Sequence, residues 1–162
     1  MNKLLIIGLA VLSALPSTIE SNKLNRIVPK KEEKQEVVQE PIETTYTTRL
    51  TSYYANDGYG TGNCTGSGLC ENDFEVNDKG WYTWNGKLVV ATATDYLLKY
   101  GFSLADGVHT YKYEDEITLN IDGIDYQAIV KDSCGNCMKT GRIDLFVSNG
   151  NSVIDTQIIV KE

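Results

Sequence analysis

The chain has 162 residues, 41% hydrophobic and 23% charged, with 15 Lys and Arg against 22 Asp and Glu and a formal net charge of −7. About 100–200 residues make one domain, so this is one soluble domain plus extensions, and no basic patch is available for a nucleic-acid binder. A single histidine, His109, excludes two- and three-histidine metal centres and Cys-His-His hydrolases, so any catalysis rests on carboxylates, cysteines or hydroxyls.

Met1-Asn2-Lys3, an apolar run over 4–15 and then Pro16-Ser17-Thr18 have the layout of a secretory leader, predicted over 1–20. The run is shorter than the roughly 20 apolar residues of a membrane span, and no cysteine follows it to carry a lipid. An uncleaved anchor is the alternative, and the small-x-small rule does not fix a cleavage site. The mature chain is expected to be secreted or cell-wall associated, with no membrane span. Over 21–45 the composition turns to Lys30-Lys31-Glu32-Glu33-Lys34-Gln35-Glu36, with Pro29 and Pro41 and no aromatic residue before Tyr46. Such a stretch buries too little apolar surface to offset its ordering entropy and reads as a disordered linker.

The folded domain is predicted over 46–162. All three prolines precede it, every glycine except Gly8 lies within it, and so do both tryptophans and all ten tyrosines, a balance that favours strands and turns. Strands are predicted over 46–54, 87–93, 116–121, 124–131, 143–146 and 156–160. Asp122-Gly123 between two alternating runs is a hairpin signal. A short helix is predicted over 95–100, with Thr94 or Asp95 near its N-cap and Gly101 after its end. Many short strands and one or two small helices in this length indicate a small closed or nearly closed β-barrel.

Cys64, Cys70, Cys134 and Cys137 all fall in glycine-rich loops. In an exported chain an even count favours disulfides, with pairing within each loop preferred by a narrow margin over cross-pairing. A zinc site built from all four, using the C-x-x-C of Cys134-Gly135-Asn136-Cys137, and free or redox-active thiols are the alternatives.

The chemistry concentrates in Val130-Lys131-Asp132-Ser133-Cys134-Gly135-Asn136-Cys137-Met138-Lys139-Thr140-Gly141-Arg142-Ile143-Asp144-Leu145. Asp144 inside an apolar strand is costly to bury unless it is paired, protonated or at a cleft. Taken alone, Asp132 reads as a turn cap and Asp144 as a strand-edge carboxylate held by backbone amides. Together they mark a candidate site.

This stretch resembles the signature of double-psi β-barrels that act on cell walls, most closely the three-aspartate (3D) domain found in stationary-phase survival proteins and similar to the catalytic barrel of membrane-bound lytic transglycosylase A. The resemblance lies in Val130-Lys131-Asp132, in Gly141-Arg142-Ile143-Asp144-Leu145, in Val89-Val90-Ala91-Thr92-Ala93-Thr94-Asp95 for the third aspartate, and in Thr51-Ser52-Tyr53-Tyr54 with Thr65-Gly66-Ser67-Gly68 for the opening. It departs from the family in its Cys134–Cys137 loop, which is one residue longer than usual, and in Tyr96-Leu97-Leu98-Lys99-Tyr100, which replaces a Pro-Leu-Gly-Thr segment.

The resemblance implies a mainly-β fold, a six-stranded double-psi β-barrel with one or two short helices. It also implies a lytic transglycosylase that cleaves peptidoglycan between N-acetylmuramic acid and N-acetylglucosamine. One aspartic acid would protonate the glycosidic oxygen and then take the proton of the C6 hydroxyl as a 1,6-anhydro ring closes. Asp144 is expected as that acid, Asp132 as its partner and Asp95 as an outer member. Thr51, Tyr53, Arg142, Trp81 and Trp84 are candidate substrate contacts, the tryptophans by stacking on sugar rings. The partner is then peptidoglycan or a related wall polysaccharide, the chain a monomer, and no cofactor or metal is called for. The alternative is a non-catalytic wall-binding barrel, similar to expansins or rare lipoprotein A.

Overall fold

The computed structural model describes residues 44–55, 57–58 and 62–162. The expected leader, and all but the last two residues of the expected linker, lie outside the described residues. Ten elements follow in chain order: β1 (Thr45–Tyr54), β2 (Glu75–Val76), β3 (Tyr82–Trp84), β4 (Lys87–Thr92), α1 (Asp95–Lys99), β5 (Glu116–Ile121), β6 (Ile124–Ser133), α2 (Cys137–Thr140), β7 (Ile143–Val147) and β8 (Thr156–Lys161). None of the helices among the described residues is long and apolar enough to cross a membrane.

Six of the strands close a barrel. Around the ring they run β1, β8, β5, β6, β4, β7 and back to β1. β1 with β7 and β4 with β6 are parallel, and the other four pairings are antiparallel. Exchanging β1 with β6, β4 with β7 and β5 with β8 reproduces every pairing, so two halves of the chain interlock with the same connectivity. The mainly-β class, the six-stranded closed barrel and the few short helices expected from the sequence are therefore present.

Alternation explains which face of each strand turns inward. In β5, Ile117, Leu119 and Ile121 are buried while Glu116, Thr118 and Asn120 are not, the period-two pattern of a strand with one wet face. Leu50, Val90, Val130, Leu145, Ile158 and Val160 fill the interior with them, each burial contributing about 1.5–3 kcal/mol. The β5–β6 hairpin turns at Asp122-Gly123, both at positive φ, which matches the strand twist. The same device at Asn85-Gly86 joins β3 to β4.

Trp81 belongs to this interior: it is 6% exposed and packs edge-on against Tyr126. Outside the barrel wall two smaller clusters form. Phe74, Tyr82, Val89 and Phe146 make one, and Ala91, Ala93, Cys134, Cys137 and Met138 make the other. Tyr53 packs against both, and the candidate site lies between them.

Candidate functional site

Register brings the two aspartates of the signature onto one line. Thr51 of β1 pairs with Asp144 of β7, Asp144 pairs with Ala91 of β4, and Ala91 pairs with Asp132 of β6. Residues directly opposite one another share a face, so Thr51, Asp144, Ala91 and Asp132 form a row across the outer side of four strands. Their chain neighbours Leu50, Val90 and Leu145 point into the barrel. Two interstrand spacings of about 4.8 Å separate the Asp132 and Asp144 backbones, with Ala91 in the row between them.

A β-bulge sets the level of Asp132. Val90 pairs with Val130 but Ala91 pairs with Asp132, so β6 carries one extra residue at Lys131. Bulges re-aim side chains next to functional sites, and without this one Lys131 would stand level with Ala91. The Lys131 ammonium instead bonds both carboxylate oxygens of Glu114, at 2.6 and 2.7 Å, and lies over the Trp84 ring.

The loop carrying Cys64 and Cys70 docks on this bulge. Ser67 N–H donates to the Lys131 carbonyl at 3.1 Å and Gly66 N–H to Asp132 Oδ1 at 2.7 Å. Glycine lets the loop approach closely here: a Cβ at Gly66 would come within 2.3 Å of the Tyr113 hydroxyl and 3.0 Å of Asp132 Oδ1, which would have to shift. Ser133 N–H donates to the same Oδ1 at 2.8 Å, and the Ser133 hydroxyl joins those of Thr94 and Tyr113 at 2.6 and 2.7 Å.

The two carboxylates sit in different environments. Burial pushes the Asp132 carboxyl above the usual range; its two backbone donors and Tyr53 oppose the shift without cancelling it, and the nearby Asp144 charge adds to it. Asp144 is only 6% exposed but has direct partners. Arg142 Nη2 donates to its Oδ2 at 3.0 Å and the Thr51 hydroxyl donates to Oδ1. Arg142 Nε lies 3.0 Å from Oδ1, yet its N–H is not aligned on that oxygen.

Both candidate carboxylates open onto a cleft of about 660 Å³ that Tyr53, Asp57, Cys64, Asn136, Arg142 and Phe146 also line. Tyr53 stacks on Phe146 with ring centroids 4.8 Å apart. Burial, and then the Asp132 charge, push the ionisation of its hydroxyl far upward, so it remains a donor. The Tyr53 hydroxyl lies against Asp132 and Arg142 Nε against Asp144 Oδ1, both shielded from solvent.

Both disulfides close within their own loops, Cys64 with Cys70 and Cys134 with Cys137. The four-cysteine zinc alternative is thereby set aside. The Cys134 sulfur lies 3.1 Å from Asp144 Oδ2; a disulfide sulfur carries no proton, so this is a packing contact.

The remaining expected site residues divide. Thr51, Tyr53 and Arg142 belong to the site, Thr51 by holding Asp144. Asp95 heads α1, with its backbone N–H on the Tyr111 carbonyl, and is not on the cleft wall. Neither tryptophan reaches the cleft: Trp81 is core, and Trp84 packs edge-on against Phe74 beneath Lys131. None of these three residues is on the cleft lining; Trp81 packs inside the barrel and Trp84 against the outer cluster. The reading over the sequence missed Ala91, Gly66 and the bulge. Lys131, which interrupts the apolar run before Asp132, was their one visible sign.

A scan of the chain against protein-family models returns no match, and a comparison with curated proteins returns none either.

Proposed function

We propose that the cleft cleaves a glycosidic bond of peptidoglycan as a lytic transglycosylase, with Asp132 rather than Asp144 as the general acid. The observation that carries this reading is the row of Asp132, Ala91 and Asp144, which sets two carboxyl groups on one face of the barrel wall, both on the lining of one cleft. Burial keeps a proton on Asp132 at higher pH than an ordinary aspartate would hold it, as a general acid near neutral pH requires. Asp144 is ion-paired to Arg142, which suits a fixed negative charge facing an oxocarbenium-like transition state.

In this mechanism the Asp132 carboxylic acid gives its proton to the oxygen linking N-acetylmuramic acid to the next sugar, and the C–O bond breaks. The resulting Asp132 carboxylate takes the proton of the C6 hydroxyl as that oxygen closes the 1,6-anhydro ring. The acid is restored and no water is consumed. Tyr53 beside Asp132 and Arg142 on Asp144 hold the two carboxyl groups in place. The interlocked pairing of the two barrel halves supports the resemblance to the three-aspartate domain, as does the position of Val130-Lys131-Asp132 and Ile143-Asp144-Leu145 on neighbours of one strand.

Mass spectrometry of purified peptidoglycan after incubation with the protein tests the reading. Anhydro-muropeptides are expected from the unmodified chain and not from Asp132→Asn. Reducing-end products would make the site a hydrolase that activates water. Wall binding with no products from any form would replace the enzyme with a non-catalytic binding barrel.

A further inference from the structure

We propose that the Cys134–Cys137 disulfide masks a cation site: once it is reduced, Cys134 Sγ, Cys137 Sγ and an Asp144 carboxylate oxygen bind one thiophilic divalent cation of the zinc class. The inference is independent of the cleavage chemistry proposed above.

Convergence is the first ground. The three ligand atoms lie within 4.8 Å of one another and all three residues are buried; no other such group of three occurs among the described residues. A tetrahedral zinc with bonds of about 2.3 Å to sulfur and about 2.1 Å to oxygen sets its ligand atoms roughly 3.5–3.8 Å apart. The Cys134 sulfur already stands 3.1 Å from Asp144 Oδ2, and the backbones of Cys134 and Cys137 are 5.0 Å apart at Cα. Side-chain rotation therefore suffices to open the two sulfurs around a cation, in the C-x-x-C spacing common at structural zinc.

Charge and hydrogen bonding are the second. Two thiolates and the Asp144 carboxylate carry three negative charges, against two positive charges on the cation and one on Arg142, so the cluster is neutral when loaded. Buried charges need this kind of compensation. Cys137 N–H already points at Cys134 Sγ at 3.0 Å, a donor that steadies a thiolate and its ligation. Access is the third: Cys134 and Asp144 line the cleft, which admits the reductant, the cation and a water as fourth ligand.

The chemistry balances with a dithiol as reductant. Its first thiolate attacks one sulfur of the pair and its second resolves the mixed disulfide. Two electrons and two protons pass to Cys134 and Cys137, and the dithiol leaves as a cyclic disulfide. Cation binding then releases the two thiol protons. Oxidation reverses both steps and returns Asp144 to Arg142 and Thr51 alone.

The test is a cadmium titration of the full chain after reduction by a phosphine, followed by the thiolate-to-cadmium charge-transfer absorbance, with circular dichroism to verify the fold. Reduced protein is expected to bind one more ion per chain than a reduced Cys134→Ala/Cys137→Ala chain, whose remaining thiols at Cys64 and Cys70 supply the background. Cys134→Ser alone, the more conservative change, is expected to lose the same ion. Asp144→Asn is expected to weaken that ion by about tenfold or more. Equal stoichiometry in the cysteine variants and the unmodified chain, or equal affinity in Asp144→Asn, would overturn the site.

Discussion

The two interlocked halves of the barrel share their pairings but not their chemistry. Exchanging β1 with β6 and β4 with β7 maps Thr51 onto Asp132 and Ala91 onto Asp144, so the row of four across the outer face is symmetric in backbone position. The second half places a carboxylate at both of its positions, whereas the first half places a hydroxyl and a methyl group. Each half also inserts a disulfide-closed loop between its first two barrel strands, Cys64–Cys70 in one and Cys134–Cys137 in the other. The first loop lends backbone donors to Asp132, and the second packs a sulfur on Asp144. A symmetric scaffold thus surrounds one aspartate with backbone amides and the other with a guanidinium. The difference lies in side chains, in one bulge and in the β2–β3 pair that only the first half inserts, not in the topology of the six barrel strands.

The largest effect expected from breaking this asymmetry is catalytic. Asp132→Asn keeps the shape of the side chain and removes the transferable proton, and cleavage should fall by about 100-fold or more, with the urea midpoint nearly unchanged. Next comes the ion pair. Arg142→Ala leaves the Asp144 carboxylate buried without its counter-charge, at about 3 kcal/mol of stability, measurable by urea denaturation at neutral pH. Asp144→Asn should cost less than Arg142→Ala, because an amide needs no counter-charge.

A smaller effect tests the spacing of the carboxylates. Ala91→Val adds two further methyl groups at the buried position between them and should cost about 1–2 kcal/mol by overpacking, while cleavage drops by more than that loss of folded protein explains. The smallest effect concerns pH. The Asp132 carboxyl is raised in the folded state, so its contribution to stability is fully present below the ordinary aspartate range and is lost as pH rises through the raised value. The stability of the unmodified chain relative to Asp132→Asn should therefore decrease with pH across that window, in thermal scans at closely spaced pH, and level off above it.

Much of the fold was legible because its signals are local. Alternation in Ile117-Thr118-Leu119-Asn120-Ile121 and the Asp122-Gly123 turn define β5 and β6 without reference to the rest of the chain. Asn85-Gly86 is a signal of the same strength, but the β3 it ends has only three residues, too few for a period to show. The candidate site was legible only as a pair of aspartates in a motif. What surrounds each of them depends on donors 66 and 93 positions away, Gly66 for Asp132 and Thr51 for Asp144, and no local pattern reports those. Trp81 and Trp84 illustrate the converse, since an aromatic side chain looks the same in sequence whether it faces a sugar or a core.

The division of labour between the two aspartates can be measured without any substrate, by following the Asp132 side-chain carboxyl carbon in an NMR pH titration of the isotopically labelled protein. An apparent pKa clearly above the unperturbed value of about 3.9, with a downward move when Asp144→Asn removes the neighbouring charge, is the predicted result. A value at or below about 3.9 would contradict the account, because burial would then not raise the carboxyl and the ground for assigning the acid to Asp132 over Asp144 would be gone.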